Sequence, residues 1–118
     1  MPDANRERFL AAAVQLTSTA DLRANLELCR ELSRQAADKG ARVIILPECF
    51  VFLGVREADK LAVAEKLHPE RPGPIFETIS GIAREHRLWL IAGGLPERLA
   101  DSSIQGRPEV RKSLSPFN

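Results

Sequence analysis

The fold of this chain follows from the stretch Ala41-Arg42-Val43-Ile44-Ile45-Leu46-Pro47-Glu48-Cys49-Phe50. The stretch holds four consecutive apolar residues, three of them β-branched, with no polar residue among them. Such a run is typical of a strand that is buried on both faces, as in a parallel sheet. Pro47 has no backbone N–H and therefore ends the strand pairing. Glu48 is thus predicted to stand at the carboxyl end of a buried strand.

Glu48 is the candidate functional residue of the chain. In open α/β sheets, ligands and catalytic groups lie at the carboxyl ends of the strands. The position alone leaves two interpretations open, a functional carboxylate or a solvated loop acid. The loop that follows, Phe50 to Gly54, is unusually apolar. We expect this loop to pack down over the sheet edge and to bury Glu48 in part.

Composition limits the class of function. The 118 residues are enough for one modest domain, with 44% hydrophobic and 28% charged residues. The net charge of +1 indicates neither a nucleic-acid partner nor a membrane partner. Cys29 and Cys49 form no metal-ligand spacing and no disulfide framework, so they are predicted to be reduced thiols of a cytoplasmic protein. No metal is expected from this cysteine spacing. No cofactor is expected either, and Gly93 and Gly94 lack the rest of a nucleotide-binding glycine pattern.

The first half of the chain is predicted to form a strand, a helix and a strand. The first strand spans Phe9 to Leu16, and the helix runs from about Ala20 to Lys39 with Gly40 directly after it. Ser18 and Asp21 resemble a capping box at the start of the helix. The second strand, Arg42 to Leu46, follows at once. Short connections of this kind predict two parallel strands joined by a crossover helix.

The second half is predicted to add two helices and a strand. The helices span Arg56 to Leu67 and Pro74 to Arg87, and the strand spans Leu88 to Gly94. The two glycines that end this strand allow the backbone to pass close to a neighbour or relieve a bend. Residues 99–118 show neither helical nor alternating periodicity and are predicted to be an irregular or disordered tail. The fold class is therefore α/β, with elements in the order strand-helix-strand-helix-helix-strand.

Several of these stretches together resemble the nitrilase, or carbon–nitrogen hydrolase, superfamily. The residues that carry the resemblance are Val14-Gln15-Leu16, Asn25, Gly40 to Glu48, and Leu90-Ile91-Ala92-Gly93-Gly94. The loop from Phe50 to Gly54 resembles the amidase branch near omega-amidase and deaminated glutathione amidase. The resemblance covers residues 9–98, which we interpret as the N-terminal part of a carbon–nitrogen hydrolase domain.

The resemblance implies a fold and a chemistry. The family folds as an α-β-β-α sandwich, forms dimers or larger homo-oligomers, and acts on small-molecule amides or nitriles. Its catalytic set is a Cys nucleophile, a Glu general base and a Lys that stabilises the tetrahedral intermediate. Glu48 matches the family's Glu. No residue of this sequence matches the family's Lys or Cys, and Lys112 stands in a setting unlike the family motif.

Three interpretations therefore stay open. In the first, the chain is the N-terminal portion of a nitrilase-like amidase. Alone it is expected to be inactive, because only Glu48 of the three catalytic residues is present. Alternatively it is a catalytically inactive short form that binds a full-length relative. The third interpretation is a small α/β binding domain in which Glu48 is a loop acid.

Overall fold

A computed structural model of the protein describes residues 7–67, 70–98, 110–113 and 116–117. These residues form six strands, two α-helices and one short 3-10 helix. In chain order they are β1 (Leu10–Ala13), α1 (Leu22–Asp38), β2 (Ala41–Ile45), the 3-10 helix (Glu57–Ala62), α2 (Pro74–His86), β3 (Trp89–Ile91), β4 (Leu95–Arg98), β5 (Val110–Ser113) and β6 (Pro116–Phe117). None of the helices in the described ranges is long and apolar enough to cross a membrane.

The central sheet is mostly parallel and has the order β1-β2-β3-β6. β2 lies between β1 and β3 and is parallel to both, with Ile44 opposite Ala12 on one side and Leu90 on the other. β6 adds an antiparallel edge beside β3. The predicted α/β class and the strand-helix-strand unit are confirmed.

The core lies on one face of this sheet. Ile44 and Leu90 are fully buried there, under the apolar stripes of α1 and α2. The helical side of the core is formed by Leu26 and Cys29 from α1 and by Ile75, Ile79, Ile82 and Ala83 from α2. Helices on one face of a sheet bury that face and leave the other to a different layer.

The opposite face of the sheet is apolar and open. It presents Ile45, Trp89 and Ile91, whose exposed fractions are 42%, 51% and 40%. The prediction that β2 is buried on both faces is therefore wrong for this chain. The reason is that no described element packs against the second face.

The ends of α1 show which polar groups fix it. The N-cap is Asp21, whose carboxylate accepts a hydrogen bond from the Ala24 N–H at 3.1 Å. The predicted capping box with Ser18 as the N-cap is wrong, because α1 begins at Leu22 and its N-cap is Asp21. Gly40 follows the C-cap with a φ of +93°, as its position at the end of the helix predicted.

The region between β2 and α2 differs from the prediction. The expected helix from Arg56 to Leu67 is reduced to the 3-10 helix, which spans six residues. Beyond it, Glu65 pairs with Glu97 of β4 as an isolated bridge. Glu65 therefore lies beside β4 rather than in a helix, and its N–H donates to the Pro96 carbonyl at 3.2 Å.

The last described residues also differ from the prediction. β4 was not predicted, and it pairs with β5 in an antiparallel two-stranded sheet. Residues 110–113 and 116–117 lie in strands although the sequence predicted an irregular tail over 99–118. The rest of that tail lies outside the described residues.

Candidate active site

Glu48 lies at the carboxyl edge of the parallel sheet, directly after its central strand. The Leu46 N–H still donates to the Ile91 carbonyl at 2.8 Å, so sheet pairing continues to the residue before Pro47. On the other side, the Val14 N–H donates to the Ile45 carbonyl at 2.9 Å. The backbone of Glu48 therefore starts from a strand that is held on both sides.

The Glu48 side chain is exposed to solvent. The following loop does pack down, since Phe50 and Val51 are 0% and 1% exposed. However, these side chains turn into the core beneath the sheet edge and do not cover the carboxylate. The expectation that the loop buries Glu48 in part is therefore wrong. The predicted packing of the loop is confirmed for Phe50 and Val51 but not for Leu53, which is 55% exposed.

Gly93 determines how closely β3 approaches Glu48. A Cβ at Gly93 would overlap the carbonyl group of Pro47 and would lie 2.6 Å from the Glu48 nitrogen. Only a residue without a side chain permits this approach. Of the two roles predicted for these glycines, close approach of the backbone holds for Gly93, and its neighbour is the Pro47–Glu48 peptide.

Cys49 forms the turn that follows Glu48. Its φ of +54° is in the left-handed region, which non-glycine residues adopt at a cost of about 1–3 kcal/mol. The half-buried Cys49 also lines a cavity of about 170 Å³ with Phe52, Leu53 and Arg56. The loop must therefore be held by contacts elsewhere if this turn is to persist.

Asn25 supplies such a contact from the first turns of α1. Its side-chain amide is 2% exposed and donates to the Thr19 carbonyl at 2.7 Å and to the Val51 carbonyl at 2.8 Å. Its Oδ1 accepts from the Thr19 N–H at 3.0 Å. The Leu53 N–H completes the link by donating to the Thr19 carbonyl at 3.0 Å. The loop after β1 and the loop after Glu48 are thereby joined through one buried side chain.

Cys29 belongs to the core and not to the site. Its side chain is fully buried, and burial raises the pKa of the thiol to about 11. A thiol with this pKa stays protonated near neutral pH and is a poor nucleophile. Cys29 therefore serves as a small apolar residue of the core.

The geometry can support proton transfer. An exposed carboxylate on a rigid sheet edge can accept a proton from a group placed above it. Across the described ranges, no group of three His, Cys, Asp or Glu side chains could hold a metal ion.

Sequence reasoning predicted the place of Glu48 at the end of the strand but missed how its backbone is held. Asn25 was noted as part of a motif, without a role, because its partners Thr19 and Val51 are brought to it only by the fold. The available signal was a polar residue directly beside Leu26 on the apolar stripe of α1. A polar side chain at such a position is rarely buried without hydrogen-bond partners.

Comparison with known proteins gives the family. The family model for carbon-nitrogen hydrolases matches residues 10–110. Deaminated glutathione amidase of Homo sapiens is 41% identical over 92 residues, which is 78% of this chain and 27% of the relative. The nitrilase and fragile histidine triad fusion protein NitFhit of Caenorhabditis elegans is 32% identical over 88 residues, or 75% of this chain and 19% of the relative. The chain thus spans about a quarter of the length of the curated relatives it matches.

Solved structures agree on the fold. The crystal structure of C. elegans NitFhit superposes with a TM-score of 0.67 at 28% identity, covering 88% of this chain and 24% of that one. Saccharomyces cerevisiae Nit3, a member of branch 10 of the nitrilase superfamily, gives a TM-score of 0.71 at 20% identity over 86% of this chain and 36% of that one. The second likeness bears on the fold alone.

Proposed function

This chain belongs to the carbon–nitrogen hydrolase family, and on that basis we propose that it is the N-terminal portion of a nitrilase-like amidase. In this proposal Glu48 is the general base. The observation that carries it is the place of Glu48, which follows the central parallel strand and is exposed at the carboxyl edge of the sheet. Catalytic groups of α/β enzymes are found at this edge.

The role of Glu48 follows from the chemistry of acyl transfer. A cysteine thiol at its ordinary pKa is mostly protonated near neutral pH, so a base that removes its proton creates the attacking thiolate. The thiolate then attacks the amide carbon, and a cation stabilises the oxyanion of the tetrahedral intermediate. The Cys and Lys of this scheme match no residue of the chain. We therefore propose that this chain supplies the general base, Glu48, and the sheet edge that holds it.

The proposed substrates are small amides whose hydrolysis releases ammonia. The support for this class is the identity of 41% to a relative named deaminated glutathione amidase. We further propose that the complete enzyme is a homo-oligomer that acts in the cytoplasm, in line with the family resemblance.

The test combines an intact mass with an assay of ammonia release. Native protein is captured with an antibody against residues 41–54. Its intact mass is measured by mass spectrometry, and its release of ammonia from short ω-amides is assayed. We expect a species several times larger than 13.1 kDa that releases ammonia. A 13.1 kDa species that co-purifies with a full-length relative would support the inactive short form instead. A lone 13.1 kDa species without activity would contradict the hydrolase proposal.

Glu48→Gln tests the base within the captured enzyme. The variant keeps the shape of the side chain but cannot accept a proton, so turnover should fall by about 10²–10⁴-fold. Glu85→Gln is the matched control, because Glu85 is an exposed carboxylate on α2. Equal activity of the two variants would remove Glu48 from the mechanism.

A further inference from the structure

We infer that Asn25 is the positioning residue for Glu48, fixing the turn at Cys49 and through it the direction of the Glu48 carboxylate. The inference rests on the proposed function only in the role given to Glu48. It concerns a residue that touches neither Glu48 nor any reacting group.

Glu48 needs an indirect support. Its side chain is exposed, and within the described part of the chain it has no hydrogen-bond or ion-pair partner. Its direction is therefore set by its backbone. That backbone is bounded on one side by Gly93 and on the other by the turn at Cys49.

The turn at Cys49 is strained and must be anchored beyond it. A left-handed residue other than glycine persists only where its surroundings determine the conformation. The first anchor after Cys49 is the pair Phe50 and Val51, which are buried. Val51 is bound through its carbonyl to the Asn25 amide at 2.8 Å.

Asn25 is a rigid anchor because it is part of a helix. Its own N–H donates to the Asp21 carbonyl at 3.0 Å, so its backbone belongs to the first turns of α1. Its side chain binds Thr19 with both the oxygen and the nitrogen. The Thr19 hydroxyl also donates to the Asn25 Oδ1 at 3.3 Å, so four polar atoms contact one buried amide. Removal of this amide would leave the Thr19 N–H and the Val51 carbonyl without these partners.

The test measures the conformation of the turn directly by NMR on the whole 118-residue chain. A residue with positive φ brings its own amide and α protons close together and gives a strong intraresidue nuclear Overhauser effect (NOE). In the wild type we expect this strong signal at Cys49. In Asn25→Ala it should weaken, while amide exchange at Thr19 and Leu53 accelerates at least about 10-fold more than at Leu46, which is held by the sheet.

Leu26→Ala is the matched control. Leu26 is the neighbouring buried residue of α1 and contributes packing without a hydrogen bond to either loop. This variant should accelerate exchange at all slow amides together and should keep the Cys49 signal. If Asn25→Ala behaves in the same way, the residue has a merely structural role and the inference is overturned.

Asn25→Asp separates the two halves of the link. The carboxylate keeps an oxygen for the Thr19 N–H but cannot donate to Val51. We expect slow exchange at Thr19 to be retained and the Cys49 signal to weaken. An unchanged Cys49 signal would overturn the inference, as would failure of both Asn25 variants to fold where Leu26→Ala folds.

A kinetic readout applies in the active enzyme captured above. A misplaced base lowers the rate of the chemical step without weakening substrate binding, so Asn25→Ala should lower kcat by about 10²-fold and leave KM unchanged. An unchanged kcat would count against positioning. The NMR result does not depend on hydrolysis, so its failure is distinguishable from failure of the proposed function.

Discussion

Because Gly93 has no side chain, its backbone can pack directly against the Pro47–Glu48 peptide, next to the proposed base. Gly93→Ala would insert a methyl group into the Pro47–Glu48 peptide, where the neighbouring atoms belong to the backbone and cannot rotate away. We expect a loss of about 1–3 kcal/mol in the free energy of unfolding, measured by urea denaturation.

Gly81→Ala is the matched control for this change. Gly81 lies within α2, and a Cβ there would meet nothing within 4 Å. Alanine is the better helix former, so this variant should gain about 0.5–1 kcal/mol. If both variants shift stability in the same direction, close approach of the backbone is not the reason for glycine at position 93.

The residues around Glu48 differ in how far the sequence could predict them. The place of Glu48 at the end of β2 was predictable because strand, proline and carboxylate follow one another in the chain. The contact between Gly93 and the Pro47–Glu48 peptide was not predictable. Gly93 and Glu48 are 45 positions apart in sequence, and only the parallel register of β2 and β3 brings them together. The positive φ of Cys49 carries no signal in the sequence, since cysteine has no preference for the left-handed region.

At the scale of elements, α2 begins with a cap that comes from outside the helix. Gly73 is its N-cap residue and offers no side chain, while Pro74 supplies the fixed φ of the first turn. The Glu65 carboxylate accepts instead from the Ile75 and Phe76 N–H groups at 3.0 and 2.6 Å. A carboxylate at a helix N-terminus is also favoured by the helix dipole.

Glu65→Ala should therefore destabilise the fold through α2. One buried and one partly buried N–H group would lose their carboxylate acceptor. We therefore expect a loss of about 2 kcal/mol in the free energy of unfolding, measured by thermal or urea denaturation. Glu65→Gln keeps one acceptor oxygen and should lose less. Glu85→Ala, on the exposed surface of the same helix, should change stability by less than about 0.5 kcal/mol. Equal losses at positions 65 and 85 would contradict the capping role.

The elements that were predicted correctly are those with a strong local pattern. The apolar stripe of α1 recurs at helical spacing within one segment, and the apolar run of β2 is continuous; both elements lie close to their predicted bounds. β4 was missed because Leu95-Pro96-Glu97-Arg98 has no alternation, and its pairing depends on β5, which begins 12 residues after it ends. The helix predicted over 56–67 was an overestimate, since Ala58, Leu61 and Leu67 form only a partial stripe.

At the scale of the molecule, the two faces of the sheet differ: the helices cover one face, and the other is exposed to solvent. Ile44 and Ile45 are adjacent and chemically identical, yet their exposed fractions are 0% and 42%. The apolar run of β2 predicted burial on both faces. That prediction describes the family's α-β-β-α sandwich, in which a second sheet covers this face, better than it describes the chain alone.

The two isoleucines give a test of this difference between faces. In the chain alone, Ile44→Ala opens a cavity in the core and should cost about 2–5 kcal/mol, measured by urea unfolding. Ile45→Ala removes a side chain that is already half in water and should cost about 1 kcal/mol or less. If the chain is the N-terminal part of a nitrilase-like sandwich, as proposed, the destabilisation by Ile45→Ala in the complete enzyme should approach that of Ile44→Ala, because a second sheet would bury Ile45. If Ile45→Ala still lowers the free energy of unfolding by only about 1 kcal/mol in the complete enzyme, this face is not covered by a second sheet. The apolar character of Ile45, Trp89 and Ile91 would then need another explanation.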